Sequence, residues 1–162
     1  LDKKFIFFNS GYNLRPTEIS AAIGNSQFNK LDKLIRFREI NRKKIISEIL
    51  KNTKLKNLIG FFDANKDVKP SWFGIPIKIL NKNINKKKII KKLEKNGIET
   101  RPIISGNFAK QPAAIKYGLV KKQKFPNTDE VYNKSFFIGL PTKQITKKYL
   151  TKIVLAFEKS FN

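Results

Sequence analysis

The sequence predicts an α/β domain: a two-layer arrangement in which a small sheet of two or three strands carries packed helices. Three observations predict it. Phe73, Ile75, Ile77 and Ile79 alternate with Gly74, Pro76 and Lys78, the period of a half-buried strand. Tyr149, Leu150, Ile153, Val154, Phe157 and Phe161 recur at helical spacing near the end of the chain. An apolar fraction of 40% over 162 residues, with 14 Phe, suffices for one core.

Taken in order, Phe5-Ile6-Phe7-Phe8 is short and apolar, either a strand or a stretch packed against another domain. After the bend at Gly11, Pro16 brings its own helical φ and Thr17 can accept from free first-turn amides, so a helix opens there. Ile19, Ala22 and Ile23 share one side of it, and Ala21 and Gly24 are small enough for close contact. A longer helix is predicted from Leu31 to about Leu50, with Leu31, Leu34, Arg38, Asn41, Ile45 and Ile49 in its stripe. Its polar middle fits a helix that bridges two packing environments.

Gly60 to Pro70 is turn-rich, and Pro76 predicts a strand on a sheet edge or at a bulge, because proline donates nothing to a ladder. Asn85 can cap the next helix, with Ile84 and Ile89 as a staple, Ile89, Ile90 and Leu93 as the buried stripe, and Gly97 as the stop. Ile98 to Arg101 reads as a strand. Ser105 to Tyr117 reads as a polar loop with a short helix, Pro126 to about Lys134 as another helix, and Phe136 to Pro141 as a brief buried strand.

Composition excludes several chemistries. There is no Cys and no His, which removes thiolate chemistry, disulfides, the commonest general base and the commonest metal ligand. The 12 carboxylates form no metal-binding pattern, so no metal is expected. No run of 18 apolar residues exists, Leu1 to Phe5 lack the pattern of a signal peptide, and Met is absent; a cytoplasmic piece of a longer product, away from membranes, is expected.

The net charge of +23 resembles a nucleic-acid footprint. Yet of 35 basic residues only Arg15, Arg36, Arg38, Arg42 and Arg101 carry the guanidinium fork that base and phosphate recognition favours. Lys86 to Lys88, Lys91 and Lys92 fall on the polar side of a predicted helix, where solvation explains them. A basic nucleic-acid-binding module is therefore the rival reading, and it needs exposed aromatics. The Phe residues mostly follow core periodicity and are expected to be buried.

The stretch Gly11-Tyr12-Asn13-Leu14-Arg15-Pro16-Thr17-Glu18-Ile19 delivers Asn13 and Arg15 to a helix mouth. Free amides and forked polar groups there suit an anion such as a phosphate, although the same residues also serve an ordinary loop before a capped helix. From Gly11 to Gln27 the chain resembles the sugar aminotransferase and dehydratase family, the pyridoxal-phosphate enzymes that modify nucleotide-linked keto-sugars. The resemblance covers nearly the whole chain. It implies the small C-terminal domain of a fold-type I enzyme, residues 1–50 facing cofactor and dimer partner and 51–162 forming an α/β subdomain.

The resemblance further implies that the groups acting at the reactive carbon of the cofactor, pyridoxal or pyridoxamine 5'-phosphate, lie in a large domain outside this chain. Asn13, Arg15 and Tyr12 would reach its phosphate across a homodimer, and no catalytic residue would lie here. The fragment alone is expected to be inactive and not to bind cofactor. Thr100-Arg101-Pro102 through Gly106-Asn107 to Gln111-Pro112 is similar to the nucleotide-sugar 3-dehydratase branch, which removes the C3 hydroxyl of a 4-keto-6-deoxyhexose; a nucleotide-sugar aminotransferase is the alternative. It makes Arg101, Asn107 and Gln111 the substrate-contact expectations. Where that branch often has Arg before Gln-Pro, this chain has Lys110, which puts a contact there in doubt.

Overall fold

The computed structural model of the chain describes residues 5–11, 17–120 and 124–162. Seven helices and four strands occur among them. The order is α1 (Glu18–Phe28), α2 (Leu31–Lys51), α3 (Thr53–Leu58), β1 (Ile59–Phe61), β2 (Gly74–Ile79), α4 (Lys86–Lys95) and β3 (Thr100–Pro102). A 3₁₀ turn (Phe108–Lys110), α5 (Pro112–Lys116), α6 (Pro126–Lys134), β4 (Ser135–Gly139) and α7 (Lys147–Phe161) complete it.

The strands form one antiparallel sheet in the order β1-β2-β4-β3, with Ile77 opposite Phe61 on one side and Phe136 on the other. Thr100 pairs with Ile138 at the far edge. One face is covered by α2, α3, α4 and α7. Ile45, Ile49, Leu55, Leu93 and Phe157 from those helices meet Ile75, Ile77, Ile79 and Phe136 from the strands in a single core.

Two caps and a stop behave as their residue types demand, whereas Thr17, expected to accept from the first-turn amides of α1, makes no such bond. Asn85 accepts from the amides of Lys87 and Lys88, Thr146 accepts from Tyr149, and Gly97 stops α4 at φ 82°. The polar middle of α2 is explained by Asn41, which is fully buried. Its amide donates to the carbonyls of Pro141 (3.0 Å) and Lys143 (2.8 Å) and accepts from the Ile145 N–H (3.1 Å). Next to it Arg42 donates to Phe62 O and Asp63 and lies 4.2 Å over the Trp72 ring. From Arg42 onward the helix packs into the core, whereas before Leu34 it is exposed, so one of the two expected packing environments is seen among the described residues.

Several expectations need correction. Pro76 lies in an interior strand, not on an edge. Leu80 N–H bonds to Leu58 O just before β1 and Leu140 N–H bonds to Phe73 O just before β2, so the backbone bonds of even-numbered residues of β2 point to β1. Because β1 ends at Phe61, opposite Ile77, the missing donor of Pro76 falls just past its neighbour's end. Phe73 does not continue the buried alternation. It precedes the strand, is 56% exposed, and turns edge-on to Phe137 on the opposite face at 5.1 Å.

Phe5 to Phe8 form no strand, and α3 and β1 occupy a region with no sequence expectation or only a turn-rich one. Lys86 is not a solvated face residue; it donates to the carbonyls of Tyr132 and Ser135. Of the phenylalanines, Phe136, Phe157 and Phe161 are buried as expected, whereas Phe7, Phe8, Phe28, Phe73 and Phe108 are exposed. Helix α1 buries no residue, leaving Ile19 74% and Phe28 71% exposed. A short helix with such a face lacks the packing that supplies most helix stability in proteins.

Candidate functional site

The sheet face opposite the helices carries Gly74, Pro76 and Lys78 of β2, Phe137 and Gly139 of β4, and Arg101 of β3. Helix α6 covers part of it, pinned by an ion pair between Lys78 and Glu130 at 3.2 Å. The remainder is open and forms two adjoining clefts that share Phe73, Ile104 and Phe137. The larger has a volume of about 640 Å³ and is lined by Phe5, Arg101, Pro141 and Tyr149, among others. The smaller, about 390 Å³, runs along Pro70, Trp72 and Pro76 and is almost wholly apolar. Both lie in the range of small-molecule sites.

The floor is set by close approach. A Cβ on Gly74 would stand 2.6 Å from the Phe137 ring and 2.8 Å from the Ile138 carbonyl oxygen. Only glycine leaves room for the Phe137 ring at this point of β2, with the Phe73 ring near perpendicular to it. Arg101 is the one cation lining the larger cleft among the described residues. It pairs with Glu99, itself exposed, so the guanidinium can exchange that partner at little cost.

The three substrate-contact expectations do not form one cluster. Arg101 lines the cleft. Asn107, 3% exposed, accepts from Ala109 N–H (3.0 Å) and donates to Asp129 (2.8 Å), which caps the 3₁₀ turn and ties it to α6. Gln111, 1% exposed, spends both amide donors inside the chain, on Phe5 O (2.8 Å) and Ser105 O (3.0 Å), and accepts from Phe7 N–H (3.0 Å). Lys110 pairs with Asp129 at 2.6 Å. Tyr12, Asn13 and Arg15 lie outside the described residues. Sequence reasoning missed the left-handed Ser105 (φ 57°) beside Gly106 (φ 57°), although Ser-Gly is a turn signal.

Asn107 first, and then Lys110, hold the Asp129 carboxyl below its ordinary value of 3.8. A depressed carboxylate contributes stability that is present above the unfolded-state pKa and is lost as pH falls through the folded one. The tether from the 3₁₀ turn to α6 is therefore expected to persist until the pH is below 3.8. Carboxyl NMR titration checks this: a midpoint at or above the ordinary value would remove the tether.

The donor set near α1 can be tested against a phosphate. Thr17 is the N-cap by backbone geometry yet makes no side-chain bond to the first-turn amides. Those amides and the positive end of an 11-residue helix fit a dianion. No group of three metal-ligating side chains occurs among the described residues, and none of their helices is long and apolar enough to cross a membrane.

Residues 2–158 match the DegT/DnrJ/EryC1/StrS aminotransferase family. The chain belongs to this family. It is 31% identical over 99% of its length to the lipopolysaccharide biosynthesis protein RfbH of Salmonella typhimurium, covering 36% of that protein. It is 32% identical over 85% of its length to the GDP-4-keto-6-deoxy-D-mannose 3-dehydratase of Escherichia coli O55:H7, covering 34% of it. Among solved structures, an E. coli GDP-4-keto-6-deoxy-D-mannose 3-dehydratase with bound hydrated PLP superposes with a TM-score of 0.75 at 26% identity, over 96% of this chain and 39% of that one. The chain thus spans about a third of the length of the curated relatives it matches.

Proposed function

We propose that this chain is the small C-terminal domain of a pyridoxal- or pyridoxamine-phosphate-dependent nucleotide-sugar enzyme, a 4-keto-6-deoxyhexose 3-dehydratase serving deoxysugar and surface-polysaccharide synthesis. The likeness to 3-dehydratases over 85% of the chain supports that branch. The observation that carries a substrate role for this domain is Arg101, an exposed guanidinium on a cleft of about 640 Å³ whose other walls are largely apolar. That pairing of flat apolar surface with one forked cation suits a sugar linked to a nucleoside diphosphate.

In this reading Tyr12, Asn13, Arg15 and the first-turn amides of α1 grip the cofactor phosphate of a neighbouring subunit in a homodimer. Bound pyridoxamine phosphate would supply an amine for the C4 ketone and an electron sink for loss of the C3 hydroxyl. Arg101 neutralises and orients the substrate's diphosphate, and the apolar floor at Phe73 and Phe137 excludes water beneath it. Asn107 and Gln111 shape the loop beside the cleft. The residues that move protons belong to the larger part of the enzyme.

The test uses the complete enzyme and a nucleotide-linked 4-keto-6-deoxyhexose. Arg101→Gln is expected to raise KM roughly tenfold to a hundredfold, the worth of one charge-assisted hydrogen bond, with kcat little changed and Arg101→Lys intermediate. An unchanged KM removes Arg101 from the site. Product mass spectrometry decides the branch: loss of the C3 oxygen supports the dehydratase, and gain of an amino group makes the enzyme an aminotransferase.

A further inference from the structure

The segment at residues 5–10 is strapped to the loop and short helices at 105–117 by several bonds, two of them made by one side chain. Gln111 donates to Phe5 O and accepts from Phe7 N–H, while Ala113 N–H donates to Phe7 O at 2.7 Å. Farther along, Lys116 and the Tyr117 hydroxyl both donate to the Asn9 side chain. Without being a strand, the segment is therefore satisfied as one would be, with the Gln111 amide standing in for a peptide. Its apolar ring at Phe5 lines the larger cleft.

The other donor of Gln111 goes to Ser105 O. Ser105 and Gly106 both sit at φ 57°, a left-handed conformation that a residue with a Cβ rarely adopts. The turn is closed by a Gly106 N–H bond to Ile103 O at 3.0 Å. Ile103 and Ile104, just before it, line the clefts, and Arg101 lies two residues farther back. One buried amide thus holds a strained turn on the substrate side and a segment that ends, at Gly11, where the polar hook begins.

We infer that Gln111 is a positioning residue, not a substrate contact: its amide sets the register between the lead-in to the phosphate-gripping hook and the loop that walls the substrate cleft. Both of its donors are consumed within the chain, and it is too buried to meet a ligand. The functional half of this inference rests on the proposed cofactor-dependent reading; the strap itself does not.

The experiment uses Gln111→Glu, which keeps shape and the acceptor for Phe7 but offers no N–H to Phe5 O or Ser105 O. Hydrogen exchange on this 162-residue chain is expected to quicken about tenfold at Phe7 and Ala113, whose amides bond across the strap, and at Gly106 together, with Ile77 in the sheet unchanged. In the complete enzyme the same variant is expected to weaken pyridoxamine phosphate and raise the substrate KM, each several-fold. Arg101→Gln should change KM alone.

If only one of the two segments loosens, Gln111 does not couple them and the proposal fails. A raised KM with unaltered exchange and unaltered cofactor affinity would make Gln111 a substrate contact, also overturning it. Should Gln111→Glu not fold, Gln111→Asn, whose shorter arm cannot span both segments, is read in the same way. Failure of the wild-type enzyme to bind the cofactor would refute the proposed function while leaving the exchange result to judge the strap.

Discussion

Replacing Asn41 with leucine is expected to lower the unfolding free energy by about 3 kcal/mol, the cost of stranding polar groups that had partners. The melting temperature should fall by roughly 6–12 °C for a domain of this size. Leucine keeps the branching of asparagine but is larger, so no cavity forms and overpacking at this fully buried position adds to the loss. The loss comes from the Ile145 N–H, which is buried, and from the Pro141 and Lys143 carbonyls, which are partly so. These three groups belong to the connection between β4 and α7, which has no ladder partner. Because Pro141 lines the cleft, the variant should also loosen that wall: Ile145 amide exchange is expected to rise by more than that of Ile77. A melt indistinguishable from wild type would mean that water replaces all three bonds and that Asn41 is dispensable.

That residue also shows what the sequence could and could not disclose. The break in the α2 stripe was visible as Arg38 and Asn41 among apolar positions, and it signalled two packing environments. What Asn41 holds was not visible, because its partners lie about a hundred residues away. Elements governed by local chemistry were legible: the Asn85 cap, the Gly97 stop, the long α2 and the apolar face of α7. Elements governed by pairing were not. Strand β1 has three residues and forms because Ile59 can meet Ile79, while Pro76 looked like an edge because nothing local reveals that β1 stops one residue short of it.

The candidate site divides along the same line. Arg101 was singled out by the resemblance; that it lines the cleft depends on β3 pairing with β4, which nothing local reveals. Asn107 and Gln111 were singled out by the same resemblance, but their partners, Asp129 and the Phe5–Phe7 backbone, are set by tertiary packing. The aromatic floor of the cleft escaped because alternation assigned Phe73 to the core. The short side of Gly74 and the ring of Phe137 decide otherwise.

Gly106→Ala is expected to cost about 2–4 kcal/mol, combining a left-handed backbone with an overpacked contact. The added Cβ would stand 2.2 Å from Cδ2 and 2.7 Å from Cε2 of Tyr132, and the residue's φ of 57° disfavours any side chain. Tyr132 cannot yield freely. It lies on α6, its carbonyl accepts from Lys86, and the Lys86 ammonium rests 5.2 Å from its ring centroid. Displacing it should therefore disturb the packing of α6 on the open sheet face and, through the Ser105 carbonyl, the Gln111 amide. Ser105→Gly separates the two causes, since the same φ is kept without a Cβ: its stability should stay within about 1 kcal/mol of wild type, relief of strain offsetting a more flexible unfolded chain. Urea unfolding of both variants decides the point. If Gly106→Ala proves as mild as Ser105→Gly, then Tyr132 relaxes at no cost, and the turn does not owe its shape to the contact.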